Sequence, residues 1–276
     1  MLQSGFQFYS IPAIIRIFIG IIIFVHSMPL LAEDYNSYIQ QGDRFYEQFD
    51  NEKALEEYKK AYEIAPNSFE ALMKLTRAYN DVGEDIKGIK FRREDESNSN
   101  KKVEEYFKTA AKYAELLQKE FPDKADSYFL LAATYGHLAL YKDGKERVKL
   151  ARDVEKNSKR AIQLDSNFIP AYIVLGVYYR EVANLNWVLK AFAKTLFGGL
   201  PNGTDKDSEK TLLKAVQLNP QIIHTRFELA KTYDAMDEED EVAEQLKEII
   251  DLPIMDHQDK PIKEEAEKEL RRLVKR

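Results

Sequence analysis

The chain has 276 residues and contains no cysteine, and it has only 11 glycines and 9 prolines. The lack of cysteine excludes disulfides, thiolate metal sites, cysteine nucleophiles and cysteine-linked lipid anchors. The scarcity of glycine and proline favours long helices over a sheet protein with many turns. We therefore expect a helical protein that is held together by packing alone.

Positive charge and histidine are also limited. The formal net charge is −6, which argues against general nucleic-acid binding because that function needs a basic face. The four histidines show no His-Glu-x-x-His spacing, so the sequence contains no zinc motif of that kind. No paired carboxylates, phosphate-binding loop or calcium loop stands out. We expect a protein that is not an enzyme and has no cofactor and no metal.

The first 32 residues differ from the rest of the chain. Residues 11–31 are strongly apolar, Arg16 is the only charge in the first 32 residues, and Ala32 and Glu33 mark a polar break. This order is typical of a secretory signal. It predicts a signal over 1–32, a mature domain over 33–276, and an exported location, periplasmic or extracytoplasmic. The alternative is an uncleaved segment that associates with a membrane through residues 11–31.

A 34-residue pattern recurs along the remainder of the chain. Large residues fill the gap between paired helices, small residues let the helices approach, and a late proline ends the unit. The first unit carries Tyr38, Gly42, Phe45, Ala54, Tyr58, Ala61 and Pro66 at these places. Four more units follow, and Gly176 in the fourth is expected where two helices touch. The pattern predicts an all-α tetratricopeptide-repeat solenoid of about five helix pairs, with an inserted helix and a capping helix over 261–274.

Two inserts interrupt the units, at residues 84–102 and 185–200. In the second insert, apolar residues recur at three- and four-residue steps and share one helical face, while Lys190 and Lys194 lie on a polar strip. The face either braces neighbouring helices or roofs the concave side of the array, where it would create an apolar channel with the lysines near its mouth. The candidate ligand-binding residues are Trp187, Leu189, Lys190, Phe192, Lys194, Leu196 and Phe197.

The concave face of a repeat array is the usual place for a partner. Polar residues on the inner helices, namely Asn80, His137 and Arg180, are the candidate groove residues. Two functions remain open at this point. One is an interaction scaffold that binds a protein or peptide on the concave face. The other is a carrier of a phospholipid or another apolar ligand beneath the second insert.

The second half of the chain carries more specific motifs. They are Leu175-Gly176-x-x-Tyr179-x-Glu181-Val182-Ala183-x-Leu185-x-Trp187, Leu196-Phe197-Gly198-Gly199-Leu200-Pro201, Lys214-Ala215-x-x-Leu218-x-Pro220 and Leu252-Pro253. From about Asp126 onward the chain resembles the C-terminal domain of the regulator of microtubule dynamics family. The resemblance implies a repeat array, an N-terminal membrane-targeting segment, and, for some eukaryotic members, phospholipid transfer and association with microtubules. A weaker resemblance is to periplasmic repeat proteins that serve transporters.

Overall fold

The computed structural model describes residues 34–91, 101–186, 190–191, 193–195, 198–199 and 203–275. Within these ranges the regular structure is helical and no strand occurs. No helix in the same ranges has the length and apolar character needed to cross a bilayer. The proposed signal over 1–32 lies outside the described residues.

The helices follow one another in antiparallel pairs, joined mostly by short turns. They are α1 (34–47), α2 (Asn51–Ile64), α3 (Phe69–Lys87), α4 (Lys101–Glu120), α5 (Ala125–Ala139), α6 (Gly144–Leu164), α7 (Ile169–Ala183), α8 (Asp205–Leu218), α9 (Ile223–Ala235), α10 (Glu239–Asp251) and α11 (Asp259–Leu273). Residues 190–191 and 193–195, between α7 and α8, are also helical. The prediction of five helix pairs with a C-terminal capping helix is confirmed.

Polar side chains set where several helices begin. Asp50 accepts a hydrogen bond from the backbone N–H of Lys53 at 3.2 Å, and Ser68 accepts one from that of Ala71 at 3.3 Å. Thr204 and Asp207 form a reciprocal capping box at the start of α8. Each cap satisfies backbone N–H groups that the first helical turn leaves unpaired.

Small residues allow the paired helices to touch, as the repeat pattern predicts. A Cβ atom added at Gly42 would lie 2.4 Å from the Tyr58 ring, and one at Gly176 would lie 2.5 Å from Leu212 Cγ. Both distances are far shorter than van der Waals contact, so neither site admits a side chain without movement of its neighbour. The expectation that Gly176 lies at a helix contact is confirmed.

Each helix packs on the next one in the chain, and α3, α5, α7 and α9 also contact one another in that order. We call these four helices the inner row. Buried side chains between the inner row and its paired helices form the core, in which Tyr58, Phe107 and Leu212 are almost fully enclosed. The inner row is therefore the element on which a binding surface would be built.

The first insert is shorter than the sequence suggested, since α3 continues to Lys87 and only then ends at Gly88, whose φ is 75°. The predicted boundary at residue 84 is wrong because residues 84–87 are helical. Beyond Gly88 the chain crosses to the last repeat. There Phe91 is 3% exposed, its ring lies 5.5 Å from that of Phe227, and its N–H donates to Glu265 at 3.2 Å.

Candidate functional site

The three predicted groove residues lie on different helices of the inner row. Asn80 lies on α3 and contacts α5, and His137 lies on α5 and contacts α3. Arg180 lies on α7 and contacts α9. The structure therefore brings Asn80 and His137 to one contact and places Arg180 at another. All three side chains already bond to residues of this chain.

Arg180 forms a buried ion pair across the α7–α9 contact. Its Nη2 lies 2.5 Å from Glu228 Oε2, and its Nη1 donates to the Glu228 carbonyl at 2.8 Å. Lys231 Nζ adds a second cation at 3.0 Å from Glu228 Oε1. Burial raises the pKa of Glu228, but the charges of Lys231 and Arg180 outweigh it and hold that pKa well below its usual range. We call these three residues the arginine cluster.

Asn80 is 5% exposed and makes its hydrogen bonds within the helix packing. Its amide nitrogen donates to Thr134 Oγ1 at 2.8 Å and to the Thr76 carbonyl at 3.3 Å. Thr134 is fully buried and donates in turn to the Leu130 carbonyl. Asn80 therefore joins α3 to α5 and presents little surface to a partner.

A second charged group, the histidine–carboxylate cluster, comprises Asp81, Glu84, Asp85, His137 and His257. The three carboxylates lie at steps of three and four on α3, so they share one face of that helix. His137 Nε2 lies 2.5 Å from Glu84 Oε1, and His257 Nδ1 lies 2.6 Å from Asp85 Oδ1. His257 Nε2 is 3.9 Å from both Asp81 Oδ1 and Glu84 Oε2.

The environment of this cluster shifts its pKa values in opposite directions. Burial dominates at Asp81 and raises the pKa of its carboxyl to about 7. At Glu84 the charge and hydrogen bond of His137 outweigh burial and lower the pKa to about 2. At His257 the hydrogen bond to Asp85 and the charge of Asp81 outweigh burial and raise the pKa to about 9. The cluster thus concentrates titratable groups at one point of the inner row.

An open cleft of about 500 Å³ lies beside this cluster, between the α1–α2 turn and the end of α3. The residues that line it are Gln48, Phe49, Asp50, Asn51, Glu52, Val82, Asp85 and Ile86. Three of these eight residues are acidic and none is basic. Phe49 is 42% exposed and has a φ of 61°, a left-handed conformation that side chains of its size rarely adopt.

The cleft shares Asp85 with the loop that follows α10. Asp85 accepts a hydrogen bond from Asn51 at 2.8 Å on the cleft side and contacts His257 through its other oxygen. The same loop carries Ile254 and Met255, which are 48% and 52% exposed. Exposed apolar side chains and carboxylates therefore come together at this corner of the array.

The predicted ligand-binding residues of the second insert are described only in part. Lys190 and Lys194 are exposed, and Lys190 Nζ donates to the Ala183 carbonyl at 3.0 Å. Ala193 between them is buried, and Arg152 of α6 donates to the Gly199 carbonyl at 3.0 Å. Trp187, Leu189, Phe192, Leu196 and Phe197 lie outside the described residues, so their predicted role stays a prediction.

Sequence reasoning missed the cleft and most of the histidine–carboxylate cluster. The spacing of Asp81, Glu84 and Asp85 on one helical face was a signal within the sequence. His257 gave no such signal, because it lies 172 residues from the aspartate that it contacts. Phe49 also gave none, since only its backbone conformation and exposure distinguish it.

The fold places the chain in the class of tetratricopeptide-repeat solenoids. A solved structure of a thermophilic repeat protein from Thermus thermophilus superposes with a TM-score of 0.62 over 88% of this chain and 100% of that chain. The identity between the two is 16%, so this likeness shows the fold alone. Proteins with this repeat fold are typically non-enzymatic.

Residues 38–274 match the family model described as Regulator of microtubule dynamics protein 1-3, and the chain belongs to that family. Regulator of microtubule dynamics protein 1 of Bos taurus is 25% identical over 97% of this chain and 78% of its own length. Protein 3 of Mus musculus is 25% identical over 71% of this chain and 40% of its own length. The chain spans less than half the length of that mouse protein and of its rat counterpart.

The predicted location is wrong. The export signal, and its alternative of a membrane anchor, led us to expect a periplasmic, extracytoplasmic or anchored protein. The matched relatives are instead eukaryotic proteins named for the regulation of microtubule dynamics. The resemblance to this family is confirmed, whereas the domain boundary at residues 32 and 33 stays a prediction.

Proposed function

We propose that this chain is a non-enzymatic interaction scaffold that binds a segment of a partner protein at the cleft between the α1–α2 turn and α3. The observation that carries this proposal is the combination of exposed Phe49 with three carboxylates and no cation in the cleft lining. Exposed apolar surface rimmed by polar groups marks interaction sites on soluble proteins. A partner segment with an apolar side chain flanked by Lys or Arg complements such a cleft.

The cleft suits a partner better than the middle of the inner row does. Asn80 and Arg180, which the sequence suggested as groove residues, are buried and bonded to Thr134 and Glu228. A partner that used them would first have to break these internal contacts, and a buried charge left without its partner is costly. In the cleft, Phe49 is 42% exposed and Glu52 is also exposed, so a partner can reach these two side chains without displacing a buried ion pair.

The names of the relatives suggest the setting in which the scaffold acts. They are called regulators of microtubule dynamics, so the proposed partner is a protein that works at microtubules. Co-sedimentation of the purified chain with polymerised tubulin distinguishes direct binding to the microtubule from binding through another protein. In the second case the chain stays in the supernatant until its partner is added.

The test is selection of peptides from a random display library on the purified chain. Selected peptides are expected to place Lys or Arg beside an apolar residue. Phe49→Asn, which suits the left-handed backbone, and Glu52→Lys should each weaken their binding about tenfold or more, as central interface residues do. Glu244→Lys, an equally exposed change on α10, should leave binding unchanged. Peptides that bind Phe49→Asn and Glu52→Lys as tightly as the unaltered chain would refute the proposal.

The alternative function is carriage of a phospholipid beneath the second insert. In its support, Ala193 is buried while Lys190 and Lys194 are exposed, so this segment has two different faces. Incubation with vesicles that contain a fluorescent phospholipid, followed by separation, measures uptake directly. Uptake that Phe49→Asn leaves unchanged would favour the carrier, and no uptake would leave the scaffold as the only function.

A further inference from the structure

We propose that Asp81, Glu84 and His257 form a binding site for a divalent transition metal of the zinc class, which fastens the loop after α10 to helix α3. Each of the three residues offers one ligand atom, and these atoms lie within 4.8 Å of one another. Imidazole nitrogen and carboxylate oxygen are both ligands of zinc. This inference is separate from the proposed partner cleft, although Asp85 contributes to both.

The orientation of His257 is the first argument. Its Nδ1 contacts Asp85 Oδ1 at 2.6 Å, so Nε2 is left to face Asp81 and Glu84 at 3.9 Å each and Asp256 Oδ1 at 3.6 Å. In metal sites a ligating histidine almost always donates its second ring N–H to a carboxylate or carbonyl, which fixes the ring and its tautomer. The His257 side chain is only 6% exposed, so its ring is held in this position.

The support behind Glu84 is the second argument. His137 Nε2 contacts Glu84 Oε1 at 2.5 Å, and the His137 ring stacks on Phe107 with centroids 4.6 Å apart and an interplanar angle of 9°. The Gln258 side chain donates to the other oxygen, Oε2, which still has a lone pair to offer. Glu84 is thus fixed with Oε2 facing His257, as a ligand carboxylate needs to be.

The state of Asp81 is the third and independent argument. The residue as a whole is 8% exposed, and its Oδ2 accepts no hydrogen bond from any described residue. Among those residues, the cation paired with that oxygen is Arg77, whose Nε lies 3.9 Å away, beyond hydrogen-bond distance. Since buried carboxylates are normally paired or bound to a metal, the Asp81 carboxylate is short of partners, and Oδ1, which faces His257 Nε2 at 3.9 Å, is the oxygen available to an ion.

The spacing of the ligand atoms fits zinc after a small closure. Tetrahedral zinc with bonds of about 2.1 Å places its ligand atoms about 3.4 Å apart. The two distances from His257 Nε2, to Asp81 Oδ1 and Glu84 Oε2, are 3.9 Å. Closure by about half an ångström shortens both distances to that value. The two oxygens, which lie within 4.8 Å of each other, must also approach for three protein ligands to hold one ion, with the fourth position left for water.

The test is titration of the metal-free full chain with Zn²⁺, and separately with Mn²⁺, in competition with a fluorescent chelator. The chain should bind one equivalent of Zn²⁺, and Zn²⁺ should bind more tightly than Mn²⁺, as the usual affinity order requires. Zn²⁺ should also raise the melting temperature, because it binds the folded state. Absence of binding by both metals would overturn the proposal.

Matched variants locate the ion. Asp81→Asn and His257→Gln should each weaken Zn²⁺ binding by about 100-fold or more, and Asp85→Asn, behind the histidine, by about 10- to 100-fold. Asp123→Asn removes an exposed carboxylate between α4 and α5, outside the ligand set, and should leave the affinity unchanged. Asp81→Asn keeps the size of the side chain and removes only its charge, so it remains informative if His257→Gln fails to fold. Unchanged Zn²⁺ affinity in Asp81→Asn would overturn the proposal.

Discussion

The arginine cluster at the α7–α9 contact and the histidine–carboxylate cluster at the α3–α5 contact occupy equivalent places in the inner row, yet their charges are balanced differently. In the first, Glu228 is paired with Arg180 and Lys231 at 2.5 and 3.0 Å. In the second, carboxylates outnumber histidines, and Asp81 keeps an oxygen without a hydrogen bond. A buried carboxylate whose oxygens both contact cations holds two helices together, whereas one that keeps an oxygen without a hydrogen bond invites a ligand.

Among the tests of this comparison, Arg180→Met is expected to cause the largest change, a loss of stability. It leaves the Glu228 carboxylate buried with Lys231 and His224 beside it but without its bidentate partner, and breaking a buried pair costs about 3–5 kcal/mol of stability. Urea unfolding measures the loss. Arg160→Met, on the exposed face of α6, should change stability by less than about 0.5 kcal/mol. A cost for Arg180→Met no greater than that of the control would show that the arginine cluster does not hold α7 to α9.

A pH series tests the same cluster with an intermediate effect. Because Lys231 and Arg180 hold the pKa of Glu228 below its ordinary value of 4.5, the stability that Glu228 provides is fully present above pH 4.5. It is lost as the pH falls below that value, by up to about 1.4 kcal/mol per pH unit for one proton. Glu228→Gln should therefore show a shallower acid dependence of the free energy of unfolding than the unaltered chain.

The control for this series is Glu244→Gln, which removes an exposed carboxylate from α10. Its acid dependence should match that of the unaltered chain, since an exposed carboxylate contributes little. If Glu228→Gln and Glu244→Gln show the same dependence below pH 4.5, the pKa of Glu228 is not lowered by its partners.

The smallest expected change is in the stability of alanine variants at two glycines, one in each half of the inner row. In Gly176→Ala the new Cβ would lie 2.5 Å from Leu212 Cγ, so overpacking outweighs the gain in helix propensity and leaves a net cost of about 1 kcal/mol. In Gly136→Ala the nearest atom is Val154 Cγ2 at 4.0 Å, so only the gain of up to about 1 kcal/mol remains. Thermal unfolding should shift in opposite directions, and a gain from both would contradict the contact.

The repeat register could be predicted from the sequence because its physical basis is local. The spacing of Gly42 to Tyr58 and of Gly176 to Leu212 reflects which residues of paired helices must touch, and the observed contacts agree. The helix pairs and the capping helix followed from the same spacing. The end of the first helix in the second unit was predicted less well. Helix α3 extends to Lys87, into the segment that was predicted as an insert.

The candidate site could not be predicted in the same way. Asp85 meets His257, and Glu84 meets Gln258, across 172 and 174 residues, distances over which no spacing rule applies. Asn80 and Arg180 are buried by partners from neighbouring helices, such as Glu228 for Arg180, which a helical spacing pattern does not reveal. The expectation of no metal rested on local histidine spacing, which cannot detect a site like the one proposed between α3 and the loop after α10.

The crossing of Phe91 to the last repeat has a consequence for how the array unfolds. In an ordinary solenoid each repeat contacts only its neighbours, so stability is a sum along the chain and terminal repeats can open by themselves. Here Phe91 is buried against Phe227 and bonds to Glu265, while Asp85 contacts His257. The last repeat cannot detach without breaking contacts with the second, so the array behaves in its cooperativity as a closed ring more than as a linear stack.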